Sequence, residues 1–208
     1  MITASQSTPS VEDIKLSFPY PKFDKIQGEP NYESMCKLET QAIRNAATVE
    51  IALPPPHGNL AGIIEQPQVY LTRTGTPFPR PTYPGNAPVF PGGANVTTRQ
   101  QMQQLCNTQL RNYYMLQTTE RLIKTMLEQA IESTYLTGTH SDTQGFGTRT
   151  ATEMHACLYQ TYGRITTKAI INTTSSTSPA SGHHAQTNRR LPTICYSSWS
   201  TIHFCSNI

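Results

Sequence analysis

The sequence predicts a mainly α fold: a helical domain with a Pro/Gly-rich connector and disordered ends. Three observations lead there. From Ala94 to Thr137 neither glycine nor proline occurs, in a chain that carries 12 Gly and 16 Pro. In that run and in shorter segments on either side, apolar residues recur at spacings of three and four, the period of one helix face. Strand alternation is almost absent, and no segment repeats another. Length and composition bound the rest. With 208 residues, one domain with flexible ends is expected. Apolar residues make up 36% and charged residues 14%, both below the soluble average, so only part of the chain can build a core.

Residues 1–30 hold Pro9, Pro19, Pro21 and Pro30 with few apolar side chains, which predicts an extended N-terminal arm. Residues 31–167 are expected to form the helical domain. Asn31 follows Pro30 in N-cap position, and Met35, Leu38, Ala42, Ala46 and Val49 make one apolar stripe behind it. Pro54-Pro55-Pro56 cannot continue a helix and closes this one. Asn59 to Thr72 reads as a further helical segment interrupted at Pro67, which can open a new turn.

Residues 75–93 are too rich in Pro and Gly for a helix or a central strand and form the connector. Pro-x-x-Pro occurs at Pro81 to Pro84 and Pro88 to Pro91, the pattern of a polyproline ligand for an SH3-like domain. The alternative is structural, with Phe78, Tyr83 and Phe90 packed over the helices. Aromatics interleaved with prolines favour anchoring over display.

Thr98 with Gln101 reads as a capping box that opens the longest helix, Thr98 to Leu136. Its apolar stripe runs from Met102 through Cys106, Leu110, Tyr113, Leu116, Ile123 and Leu127 to Ile131. Uninterrupted, it would extend roughly 60 Å at 1.5 Å per residue, more than a lone domain of this size covers. Either a break near Gln117-Thr118-Thr119 or a reach toward a partner is expected. Gly138 stops the helix, and Gly145 and Gly147 mark a loop. Thr150 and Glu153 form another capping box, Met154, Leu158 and Tyr162 line the helix that follows, and Gly163 ends it. Residues 168–208, rich in Ser and Thr and without acidic residues from Ile171 onward, are expected to be a disordered tail. Burial is expected for Met35, Leu38, Leu110, Tyr113, Leu127 and Leu158. Leu116, Ile123 and Met126 are expected to stay partly uncovered, which points to self-association through the Thr98–Leu136 helix.

Chemistry is thinly represented. A formal charge of +3 with scattered Lys and Arg lacks the dense basic stripe of a nucleic-acid surface. The five cysteines, Cys36, Cys106, Cys157, Cys195 and Cys205, are odd in number and widely spaced. With no secretory start at Met1–Ser10 and no apolar run of membrane length, they predict a cytoplasmic protein with reduced thiols and no membrane contact. Asp142-Thr143-Gln144-Gly145 fails as an aspartic-protease turn because Gln separates Thr from Gly. His155 and Cys157, two residues apart, fall on different helix faces, which predicts a surface histidine beside a core cysteine. His183, His184, Cys195, His203 and Cys205 are zinc-ligand types at irregular spacing. Glu128 and Glu132, one turn apart, read as a solvated face. No phosphate loop, zinc-protease helix or nucleophile elbow occurs. The expectation is no enzyme: no catalytic residue, metal site or cofactor, and no small-molecule substrate.

Several segments, in order, carry a family signature. They are Lys25-Ile26-Gln27-Gly28-Glu29-Pro30-Asn31-Tyr32-Glu33, His57-Gly58-Asn59-Leu60-Ala61-Gly62, Thr76-Pro77-Phe78-Pro79-Arg80-Pro81 and Tyr83-Pro84-Gly85. Tyr135-Leu136 follows, then Leu158-Tyr159-Gln160-Thr161-Tyr162-Gly163-Arg164-Ile165-Thr166. Over about residues 22 to 167 the chain resembles the N-terminal capsid-like part of Gag from copia-type long-terminal-repeat retrotransposons. The resemblance implies a helical structural protein without catalytic activity that self-assembles and packages RNA indirectly, through a later basic or zinc-knuckle region. After Thr167 the family continues into more helices whereas this chain turns Ser/Thr-rich, so the expectation is a remnant of a truncated or frame-shifted element. The alternative function is a monomeric interaction module that offers its Pro-rich loop to a partner.

Overall fold

Side-chain caps open four of the six α-helices among the described residues. The computed structural model describes residues 9–85, 87–137 and 149–163. Along them run α1 (Val11–Ser17), α2 (Tyr32–Ala47), a 3-10 turn (Ala61–Ile63), α3 (Pro67–Thr74), α4 (Val96–Ala130), α5 (Ser133–Leu136) and α6 (Ala151–Tyr162). The described residues are mainly helical and contain no strand; one isolated bridge pairs Glu50 with Asn59.

Asn31 caps α2 as its position after Pro30 suggests. Its side chain accepts the Ser34 N–H at 3.0 Å, and Ser34 Oγ accepts the Asn31 N–H at 2.9 Å. Two of the four donors that every helix start leaves unpaired are satisfied this way. Pro67 opens α3 at its first turn, and Gly75 closes it in the left-handed conformation at φ 76°, where a side chain would be strained. Thr150 and Glu153 make the expected capping box of α6, with bonds of 2.7 and 3.1 Å.

The N-terminal arm departs from the extended reading. Ser10 and Asp13 form a capping box that starts α1, and Ile14, Phe18, Phe23 and Ile26 are buried. The segment after α1 is extended, as expected, but pinned. Asn45 on α2 accepts the Tyr20 N–H at 3.0 Å and donates to the Tyr20 carbonyl at 2.7 Å. One turn earlier, Gln41 accepts the Asp24 N–H and donates to its carboxylate. These two amides give the arm the main-chain partners that a neighbouring strand would supply. Asn112 on α4 does the same for Ala52, accepting its N–H at 3.1 Å and donating to its carbonyl at 2.9 Å.

α4 corrects the expected start and end of the long helix and decides against a break in its middle. Its N-cap is Asn95, which accepts the Thr98 N–H at 2.8 Å, so Thr98 lies inside the helix. It then runs unbroken for 35 residues, about 50 Å, through Gln117-Thr118-Thr119. Threonine costs a helix only a few tenths of a kcal/mol relative to most residues, too little to break a segment whose Leu116, Thr119 and Ile123 are buried. The interruption comes at Ile131, extended at φ −112° and ψ 136°, where the Ile26 N–H takes the Ala130 carbonyl at 2.8 Å. The arm thus terminates the helix.

The core lies between α2, the 3-10 turn, the second half of α4 and α6. Met35, Leu38, Ile63, Leu127, Met154 and Leu158 are almost wholly removed from solvent there. Each such side chain contributes roughly 1.5–3 kcal/mol by its burial. Because α6 packs on both α2 and α4, His155 is buried beside Cys157 and not on the surface as its spacing suggests. Gly62 lets the connector seat: a Cβ there would meet the Phe78 ring at 2.5 Å.

Candidate functional site

The first half of α4 is where the helix outruns its own core. Buried residues on α4 begin at Cys106 and become frequent only from Asn112. Leu105 precedes Ile123 by 18 residues, five turns at 3.6 residues each, so the two share one face. Ile123 is 0% exposed and Leu105 59%. Met102 stands in the same relation to buried Leu127, about seven turns on, and is only half-buried. Leu105 and Met102 therefore extend the core-facing stripe past the last residues that cover it, between the exposed Gln101 and Gln109 of the same face. Val96 and Tyr114 are also exposed but lie on the opposite face, as scattered apolar residues commonly do.

This distribution corrects the burial expectations. Leu110 and Tyr113 are half-buried, because the N-terminal half of α4 meets little besides the connector. Leu116, Ile123 and Met126 are buried within the single chain and leave nothing for a partner to cover. Sequence reading missed Leu105, although its 18-residue interval to Ile123 was a legible signal.

The connector lies along the flank of α4 rather than over Leu105. Tyr83 packs edge-on against Tyr113 with ring centroids 5.4 Å apart, and Arg99 sits over the Phe90 ring at 5.9 Å. Phe78 packs edge-on against Tyr70 at 5.5 Å. All three connector aromatics therefore engage helices, and Pro81, Pro84 and Pro88 are half-buried.

Two polar clusters stand near α3. His57 Nδ1 and the Tyr70 hydroxyl are 2.7 Å apart, and His57 Nε2 lies 3.0 Å from the Thr76 hydroxyl, which ties the connector to the loop before the 3-10 turn. Arg73 grips Glu65 with two bonds, 3.2 and 2.6 Å, while lying 5.0 Å over the Tyr70 ring. Burial, with the neighbouring Glu65 charge, pushes the Glu39 carboxyl up to about 7. Burial pushes the His155 imidazole down to about 4, against a smaller opposing influence of the Met35 backbone. Neither Glu39 nor His155 lines the cavity beside α4.

Glu128 is exposed on α4, whereas Glu132 lies beyond the helix end as the residue before α5, so the two are not one turn apart on a shared helix. Among the described residues, no group of three or more His, Cys, Asp or Glu is placed to hold a metal ion. Asp142 to Gly145 and the His183, His184, Cys195, His203 and Cys205 set lie outside the described residues, as does the expected tail. No helix among those described is long and apolar enough to cross a membrane. No protein-family model, curated protein or solved structure matches the chain.

Proposed function

We propose that the chain is a non-catalytic structural protein that assembles with further copies of itself through the first half of α4, as a Gag-like capsid segment of a copia-type retrotransposon would. The observation that carries this reading is Leu105, exposed on the same helix face that Ile123 buries. Between Val96 and Leu110 the only charged residue is Arg99, which already leans on Phe90. A second copy laid on this face would bury apolar area at roughly 25 cal/mol per Å² without confronting like charges. The succession of sequence segments from Lys25 to Thr166, which follow one another as in Gag, supports the same reading. RNA would be gathered by the assembly in the cytoplasm rather than gripped by single chains. The connector is the weaker candidate, because Pro81, Pro84 and Pro88 are half-buried, with only Pro77, Pro79 and Pro91 exposed, and its aromatics already engage α3 and α4.

In a two-fold pairing only a residue near the axis faces its own copy, and the proposal places Leu105, the most exposed apolar residue of this face, at that axis. Leu105→Cys should therefore form cross-linked dimers under mild oxidation, well above the background set by the native thiols. A cross-linking yield equal to that of the unmodified chain would contradict the placement of this interface.

A further inference from the structure

The chain spreads its cations thinly along the sequence, yet the fold collects four of them around one groove. The cavity, about 780 Å³, is walled by the start of α1, the connector, the second half of α4 and the loop entering α6. Arg80, Arg121, Lys124 and Arg149 line it, against the carboxylates of Glu120 and Glu128. Glu120 is committed. Buried on α4, it pairs with the Arg80 guanidinium and accepts the Ala151 N–H at 2.7 Å, at the N-terminus of α6. Lys124 is also positioned, its Nζ donating to the Arg149 carbonyl at 2.9 Å. Arg121 is exposed one turn before Lys124, on the same face of α4.

We propose that this groove binds a compact anion bearing two or more phosphate groups. Cations drawn from three separate segments onto one concave wall repel each other, and Glu128 alone does not balance them. Such a wall concentrates positive potential and attracts multivalent anions. Guanidinium groups match phosphate oxygens in pairs; Arg80 is held by Glu120, and Lys124 fixes the main chain at Arg149. The volume falls within the range of small-molecule sites. The polar remainder of the wall, Gln117, Thr118 and Thr125 included, supplies further donors, and among the described residues the lining contains no aromatic ring. Single-stranded nucleic acid is usually held by bases stacked on aromatic side chains, so the lining favours a small polyphosphate over RNA. The groove lies within one chain, so it stands independently of self-association.

Calorimetric titration of the full chain with inorganic tripolyphosphate, at a concentration where it is monomeric, tests this. One-to-one binding is expected, weakening as salt is raised. The double variant Arg121→Gln, Arg149→Gln should lose at least tenfold in affinity while keeping its helical circular dichroism. Undiminished binding by that variant would overturn the assignment, as would an equal response to sulfate at matched ionic strength. Tighter binding of a twelve-residue oligouridylate, lost in the same variant, would replace the polyphosphate with nucleic acid and equally overturn it.

Discussion

Individual side chains do much of the structural labour where regular secondary structure is missing. Asn45 and Asn112 each exchange two hydrogen bonds with an irregular main-chain segment. Replacing Asn112 with Ala leaves the Ala52 peptide short of both partners, and the expected loss is about 1–3 kcal/mol in urea unfolding. Leu158 is 0% exposed in the middle of α6, so Leu158→Ala should cost about 2–5 kcal/mol; a loss below about 0.5 kcal/mol would contradict its burial. Glu39 and His155 make stability depend on pH in opposite senses. Glu39 stays protonated in the fold up to about 7 against an ordinary 4.5, so its contribution is present in acid and lost as pH rises between those values. His155 stays neutral down to about 4 against an ordinary 6.5, so its contribution is present at neutral pH and lost as pH falls. The two slopes oppose each other through the overlapping window. Glu39→Gln removes one of them, and its stability relative to the unmodified chain should be higher at pH 7 than at pH 4.5. An unchanged difference at the two pH values would show that Glu39 titrates normally.

At the scale of elements, local signals were legible and distant ones were not. The caps at Asn31 and Thr150, the new turn at Pro67 and the stop at Gly163 depend on neighbours within four residues, and sequence carries that information directly. The arm was misread because its partners, Asn45, Gln41 and the Ala130 carbonyl, lie 15 or more residues away and include polar groups that no apolar pattern reveals. Its own Ser10-x-x-Asp13 box was available and passed over. The long helix was anticipated, but the place where it ends was not, since the arm sets it. Deleting residues 1–18 removes Ile14 and Phe18 from the core and should lower the thermal midpoint clearly, whereas a freely extended arm would leave it unchanged. The uncovered stripe was half-legible: excess length predicted exposure, but spacing alone placed it at Leu116 and Ile123 instead of Leu105. Periodicity reports which face is apolar; only packing reports how far along the helix a partner reaches.

For the whole molecule, the question is what covers the first half of α4. Ile123 cannot probe this, because a lysine there would be forced into the core. Leu105 can, since it is solvent-facing in the single chain and a polar residue there should alter stability by no more than about 0.5 kcal/mol. Sedimentation of the purified chain and of Leu105→Asp over a hundredfold range of concentration is the most direct measurement. The unmodified chain should shift from monomer to small oligomers as concentration rises, and Leu105→Asp should remain monomeric with its thermal midpoint preserved. A strictly monomeric unmodified chain, or association undisturbed by Leu105→Asp, would contradict assembly through this helix.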